Sequence, residues 1–268
     1  MELADDIGQS LAHLRAESPL VHNITNYVVM NTTANALLAV GASPIMAHAV
    51  DEMEDLVGIV GALVINIGTL SPPWIEAMFA AGRSARRRGI PVVLDPVGSG
   101  ASKLRTETAR RLLREVGPTI VRGNASEIKS LLDIAAGTKG VDSLHTPDQV
   151  RDDAEALARS AGCVVSVSGA VDLIVGEGQT ARVANGHPMM TRVTGMGCTS
   201  TAITGAFAAI EASPFRAATY AMAVMGIAGQ IAAERSAGPG SFQVAFLDAL
   251  YGLDAATIAG HLAVELAV

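Results

Sequence analysis

Ala62-Leu63-Val64-Ile65-Asn66-Ile67 is followed by a helical stretch at residues 72–88 and then by Pro91-Val92-Val93-Leu94-Asp95. Both apolar runs are short, β-rich and bounded by Gly, Pro, Asn or Asp, the pattern of a strand buried on both faces. Outward from them, residues 44–47, 119–122 and 163–168 read the same way, while 26–40, 103–115, 125–132 and 148–160 read as helices. Alternating strands and helices predict an α/β fold, a central mostly parallel sheet flanked by helices. Polar residues begin where each strand ends, and open sheets of this class bind ligands outside the carboxyl ends of their strands.

One antiparallel feature is expected. Residues 171–175 and 180–184 read as strands joined through Gly176-Glu177-Gly178-Gln179, a hairpin signal in which glycine supplies the turn conformations. From Gly197 onward the chain reads as three or four helices, with small residues allowing close packing. The longest apolar run, 217–233, carries Thr219, Tyr220 and Gln230 and is too short and polar for a membrane span, so a buried helix is expected. No linker, repeat or composition break interrupts residues 1–268, which are read as a single domain.

Composition narrows the function. Mean hydropathy is +0.37 with half the residues apolar, so a large core of Ala, Val, Ile, Leu and Met is available and disorder is excluded. The net charge is −7, and the densest cationic run, Arg83 with Arg86, Arg87 and Arg88, falls at a predicted helix end where it suits the macrodipole. Nucleic-acid binding is disfavoured. The chain opens Met1-Glu2-Leu3-Ala4-Asp5-Asp6 without the basic and apolar regions of a secretory signal, so the cytoplasm is the expected compartment and no membrane partner is expected. Cys163 and Cys198 form neither a disulfide framework nor a zinc motif.

Three polar loops carry candidate chemistry. Thr194-Gly195-Met196-Gly197-Cys198-Thr199 precedes an Ala-rich helical stretch, so its backbone N–H groups and the helix's positive end form a candidate phosphate cradle; an ordinary helix cap is the bland alternative. Asp95-Pro96-Val97-Gly98-Ser99-Gly100 places a carboxylate at a strand end. Arg122-Gly123-Asn124-Ala125-Ser126-Glu127 offers a guanidinium, an amide and a second carboxylate. Arginine suits phosphate, and carboxylates with water suit Mg²⁺ bound mainly through a nucleotide. Glu127 also stands three residues after Asn124, the spacing of a reciprocal helix cap, and both roles can coexist. Cys198 is either a small buried hydrophobe or a functional group at the end of the glycine turn. A Walker A loop, an HExxH motif and a GxSxG elbow are absent, and no histidine is assignable as a base for Cys198.

Together these motifs resemble the hydroxyethylthiazole kinases, among the ribokinase-like kinases, over nearly the whole chain. The resemblance rests on His22-Asn23-Ile24-Thr25-Asn26, Ser43-Pro44-Ile45-Met46-Ala47, Asn66-Ile67-Gly68-Thr69-Leu70, Leu94-Asp95-Pro96-Val97-Gly98 and Asn124-Ala125-Ser126-Glu127-Ile128. It continues through Thr138-Lys139-Gly140-Val141-Asp142-Ser143, Asn185-Gly186-His187-Pro188, Thr194-Gly195-Met196-Gly197-Cys198 and Gly238-Pro239-Gly240-Ser241-Phe242, in family order. It implies ATP-dependent phosphorylation of the hydroxyl of 4-methyl-5-(2-hydroxyethyl)thiazole, with Mg²⁺ on the nucleotide and a homotrimer whose active sites lie between subunits. By position, it places Met46 and Gly195 against the thiazole with Asn26 and Gly68 as further walls. Arg122, Ser168 and Gly197 fall to ATP, Asp95 and Glu127 to Mg²⁺ through water, and Cys198 to the reacting hydroxyl, which we expect it to orient. Ser168 stands where the family usually has Thr, and either hydroxyl can donate to a phosphate.

A hydroxymethylpyrimidine kinase or a nucleotide-dependent hydrate dehydratase on the same fold is the alternative enzyme class, since fold does not fix function. A nucleotide-binding sensor without turnover is the non-enzyme alternative. The glycines of residues 137–143 would permit a lid over the nucleotide or an ordinary surface turn.

Overall fold

The computed structural model describes residues 2–132 and 147–267, so the expected lid at 137–143 and the motif beginning at Thr138 lie outside the described residues. Nine strands form one sheet in the order β2-β1-β3-β4-β5-β6-β7-β8-β9. They are β1 (Leu20–Ile24), β2 (Ser43–Ile45), β3 (Ala62–Asn66), β4 (Val92–Asp95), β5 (Ile120–Asn124), β6 (Val164–Ser168), β7 (Asp172–Gly176), β8 (Gln179–Val183) and β9 (Val264–Ala267). The first six strands run parallel. The last three ladders are antiparallel, so the expected single hairpin is extended by β9 pairing with β8. Within the hairpin Gly176 pairs with Gln179, which shortens the loop to Glu177-Gly178, both with positive φ, the geometry that follows strand twist.

Side chains alternate across the sheet. Val64, Val93, Ile120 and Val164 face one core, and Leu63, Ile65, Leu94, Val121 and Val165 face the other. The first core is closed by α1 (Glu2–Glu17), α2 (Met30–Val40), α8 (Met196–Ala208), α9 (Pro214–Glu234), α10 (Pro239–Gly252) and α11 (Ala255–His261). The second is closed by α3 (Met53–Val57), α4 (Pro72–Arg88), α5 (Lys103–Val116), α6 (Ala125–Leu131) and α7 (Pro147–Ala161). The four C-terminal helices match the expectation, and α9 holds the 217–233 run almost wholly buried.

Two elements stand before those the sequence reading expects. In α1, Ala4, Ile7, Leu11 and Leu14 recur at helical spacing and are buried. Strand β1 lies between β2 and β3 although His22 and Asn23 interrupt its apolar run. The His22 ring bonds the Ala47 carbonyl at 3.0 Å and Asn23 Nδ2 donates to the Val21 carbonyl at 3.0 Å, so each polar side chain has one partner, while His22 Nδ1 and Asn23 Oδ1 have none among the described residues. The helix expected from residue 26 begins only at Met30. Val28 N–H donates to Asn26 Oδ1 at 3.1 Å, a side-chain turn that competes with the helix and leaves Asn26 in the loop after β1.

Candidate active site

The carboxyl ends of β3, β4, β5 and β6 open toward the N-terminus of α8. Arg105 ties the loops after β3 and β4 together, donating to the carbonyls of Ile67, Val97 and Gly68 at 3.2, 2.7 and 2.7 Å. A cavity of about 700 Å³ lies at this end, and Asp95, Arg122, Glu127, Ser168, Gly195, Gly197 and Cys198 all line it. Met46, Asn26 and Gly68, the remaining residues of the expected thiazole pocket, do not line this cavity. Met46 is half-buried against the core that includes α8, while Asn26 and Gly68 connect to the site by hydrogen bonds.

The glycines of the turn have distinct jobs. Gly195 caps α8 at φ 84, and an added Cβ would stand 2.5 Å from Val29 Cγ1. A Cβ on Gly197 would stand 2.8 Å from Arg122 Nη1, so the missing side chain lets the guanidinium lie against the first turn. The first intrahelical bond runs from Thr199 N–H to the Gly195 carbonyl, and no side chain caps the helix. The N–H groups of Met196, Gly197 and Cys198 therefore have no acceptor within the helix, and together with its dipole they suit an anion. Arg122 is 92 % buried, and its Nε has no hydrogen-bond partner. A buried, unpartnered guanidinium N–H beside free helix N–H groups is a built anion site.

Burial sets the charges. Asp95 is pushed up to about 6 chiefly by burial; the Arg122 guanidinium opposes the shift, the Glu127 charge adds to it, and hydrogen bonds from Thr201 and Asn66 oppose it. Its Oδ2 accepts from Asn66 Nδ2 at 2.7 Å and from Thr201 Oγ1 at 2.8 Å. Cys198 is pushed up to about 11, first by burial and then by the Asp95 charge, so at neutral pH it is a thiol. Asn66, Asn26 and Arg122 act against that shift, and Asn26 Nδ2 reaches Cys198 Sγ at 3.5 Å.

Glu127 completes a full capping box. Its Oε2 accepts from Asn124 N–H at 2.8 Å while Asn124 Oδ1 accepts from Glu127 N–H at 2.9 Å. Its Oε1 accepts from Gly98 N–H at 2.8 Å, which binds the β4 and β5 loops to one carboxylate. Among the described residues no group of three or more His, Cys, Asp or Glu side chains is arranged to hold a metal ion. Two cavity carboxylates already engaged by N–H and O–H donors fit a hard cation only through water, with its remaining ligands brought by another molecule. Ser168 donates to the Gly123 carbonyl at 3.4 Å, a long bond that leaves the hydroxyl available at the cavity wall.

Asn66 is singled out in sequence only as part of the Asn66-Ile67-Gly68-Thr69-Leu70 motif, with no role of its own, and sequence reasoning does not find Thr201 or Asp172. Thr201 could be found, because it lies one turn beyond Gly197 on the same helix and therefore on the same face. Asp172 lines the cavity at the start of β7, where it accepts from Gly169 N–H at 2.9 Å. Burial pushes it up to about 6, with Gly169 and Arg122 opposing. Nothing in its local sequence marks it.

The geometry has close relatives. The hydroxyethylthiazole kinase of Oleidesulfovibrio alaskensis is 57 % identical over 247 residues, covering 92 % of this chain and 93 % of that protein. The solved structure of hydroxyethylthiazole kinase from Pyrococcus horikoshii superposes with a TM-score of 0.92 at 42 % identity, covering 98 % of this chain and all of that one. A pyridoxal kinase of Staphylococcus aureus shares the fold at a TM-score of 0.63 and 16 % identity, covering 93 % of this chain and 98 % of that one. The hydroxyethylthiazole kinase family model matches residues 11–256, nearly the whole chain from α1 to α11. On this agreement of sequence and overall structure, the chain belongs to the hydroxyethylthiazole kinase family, on a ribokinase-like fold.

Proposed function

We propose that the protein transfers the terminal phosphoryl group of ATP to the primary hydroxyl of 4-methyl-5-(2-hydroxyethyl)thiazole, releasing ADP and the thiazole phosphate, a step of thiamine biosynthesis. The observation that carries this reading is the anion site made by buried Arg122 and the free N–H groups of α8, with Cys198 and Asp95 beside it. In the transfer, the acceptor oxygen bonds to the terminal phosphorus as the bond to the bridging oxygen of ADP breaks. The hydroxyl proton passes to water as the new ester forms. Charge spreads over the equatorial oxygens, so positioning and neutralisation supply most of the catalysis.

This chain's residues divide that work. Arg122 and the N–H groups of Met196, Gly197 and Cys198 receive phosphate oxygens, and Ser168 adds a hydroxyl donor. Asp95 and Glu127 would hold Mg²⁺ through water, where the ion neutralises phosphate charge. Cys198, protonated at neutral pH, orients the acceptor hydroxyl rather than removing its proton as a thiolate. Met46, Gly195, Asn26 and Gly68 form the thiazole walls. As the family resemblance implies, the enzyme works as a homotrimer with active sites between subunits. Tyr27 and Val28, each 65 % exposed next to Asn26, supply apolar surface for that contact. No single helix among the described residues is long and apolar enough to cross a membrane, and we place the enzyme in the cytoplasm.

The test is ADP release from purified protein with Mg-ATP and either hydroxyethylthiazole, hydroxymethylpyrimidine or no acceptor, with product mass confirmed. Turnover with the thiazole alone supports the assignment. Turnover with only the pyrimidine keeps the anion site and overturns the acceptor pocket; nucleotide binding without turnover leaves a sensor.

A further inference from the structure

Two backbone N–H groups set the direction of a hydrogen-bonded chain joining the cavity thiol to the deepest carboxylate. Val28 N–H donates to Asn26 Oδ1 at 3.1 Å, and Gly68 N–H donates to Asn66 Oδ1 at 2.9 Å. A backbone N–H only donates, so each asparagine is held with its oxygen toward its own loop and its NH₂ group turned away. Asn26 Nδ2 then donates to Asn66 Oδ1 at 2.9 Å and to Cys198 Sγ at 3.5 Å. Asn66 Nδ2 donates to Asp95 Oδ2 at 2.7 Å. Thr201, on the same helix as Cys198, donates to the same Asp95 oxygen.

The four polar partners are buried: Asn26 is 4 % exposed, Asn66 1 %, Asp95 2 % and Thr201 0 %. Their strands make the chain possible, because β1 and β3 are parallel neighbours and bring Asn26, just beyond β1, beside Asn66 at the end of β3, while β4 pairs Asp95 with Asn66 in register. Gly68 keeps the space open, since an added Cβ would stand 2.6 Å from Asn26 Nδ2 and 2.9 Å from Asn66 Oδ1. Asn66 does not line the cavity, yet every link between the carboxylate and the asparagine at Cys198 passes through its one amide.

Resting on the phosphoryl-transfer reading above, we propose that Asn66 is a positioning residue for the reaction: its amide holds the Asp95 carboxylate and, through Asn26, the Cys198 thiol in one frame at the N-terminus of α8. It touches neither nucleotide nor acceptor. Loss of the amide frees Asp95 Oδ2 on one side and leaves Asn26 Nδ2 without its oxygen acceptor, so thiol and carboxylate lose their common reference. Errors of about 1 Å in such placement cost on the order of a hundredfold in rate.

The test compares wild type, the isosteric Asn66→Asp and the truncated Asn66→Ala in the full chain carrying Cys163→Ala, so that Cys198 is the one thiol read. Three quantities are measured: kcat with KM for each substrate, the rate of Cys198 labelling by an aromatic disulfide at fixed pH, and the melting temperature. We expect kcat to fall about tenfold to a hundredfold in both variants while each KM changes less than about threefold. Labelling slows at least about threefold in Asn66→Asp, whose added oxygen charge disfavours the attacking thiolate. A lowered melting temperature with kcat and labelling unchanged overturns the proposal, because a merely structural residue would behave so. If one variant fails to fold, the other decides. If the wild type transfers no phosphoryl group to the thiazole, the function is wrong, and labelling still decides the frame: slowing supports it, and an unchanged rate overturns it.

Discussion

Gly197→Ala tests whether the glycine turn exists to seat Arg122. The new Cβ would lie 2.8 Å from Arg122 Nη1, about 0.6 Å inside ordinary contact distance, so the guanidinium must retreat from the first turn of α8. Arg122 is 92 % buried and cannot swing into solvent, so the shift is taken up inside the anion site. A hydrogen bond to a charged group contributes about 1.5–3 kcal/mol, and loss of that much lowers kcat/KM for ATP about tenfold to 150-fold. Stability moves less, because crowding costs about 1–3 kcal/mol while alanine gains up to about 1 kcal/mol over glycine in a helix. The melting temperature should therefore fall by no more than about 8 °C. The assay is initial rate against Mg-ATP at saturating thiazole, with calorimetry on the same protein. A kcat/KM for ATP within threefold of wild type would refute the idea that this missing side chain makes room for the phosphate-binding arginine.

Gly195→Ala should be the more damaging change, since φ 84 is strained for alanine and the Cβ would meet Val29 Cγ1 at 2.5 Å; a melting temperature no lower than that of Gly197→Ala would contradict the ranking. Asp172→Asn should stabilise the protein at neutral pH. The carboxyl's folded value near 6 lies above its unfolded value near 3.9, so its favourable contribution is complete below about pH 4 and is lost as pH rises through 6, a swing of about 3 kcal/mol. Melting curves should place the variant's advantage at pH 7.5 and not at pH 4, and an equal difference at both would sink the assignment. Cys198→Ala should lower kcat by less than about three decades, and a steeper loss in steady-state kinetics would exceed the range of general-base help and remove the orienting role.

The frame of the fold is legible wherever one local signal dominates. Helix α4 occupies the expected residues because Pro72 and Pro73 start it and Gly89, with φ 69, ends it. The buried parallel strands β3 and β4 announce themselves as short apolar runs, and β5 and β6 as short β-branched stretches. Strand β1 does not, because His22 and Asn23 break its apolar run in adjacent positions, and the His22 contact with the Ala47 carbonyl exists only in the tertiary structure. Strand β9 fails differently: Val264–Ala267 is mostly exposed and carries Glu265 within a short run, and it is a strand only because the β8 edge is there to pair with it. Helix α2 starts late because the Asn26 side chain takes a backbone N–H that the helix would need, and the same turn aims its amide at Cys198.

The chemistry divides along the same line. Gly195, Gly197, Arg122, Asp95 and Glu127 sit at strand ends and helix starts whose composition is unusual over six residues, so sequence alone brings them into view. Asn66 heads the Asn66-Ile67-Gly68-Thr69-Leu70 motif, but its role comes from partners on other strands, and Asp172 has no neighbour in sequence that betrays it. Their importance follows from charge. One buried guanidinium, Arg122, acts on both Asp95 and Asp172, and Glu127 adds its negative charge toward Asp95. Burial is what raises both carboxyls, but a cavity with more carboxylates than cations still repels a bare polyanion. The free N–H groups of α8 correct it only where they point. Phosphate binding here therefore depends on aim rather than on total charge, which is why glycines that permit close approach and amides that fix one carboxylate oxygen matter as much as the arginine itself.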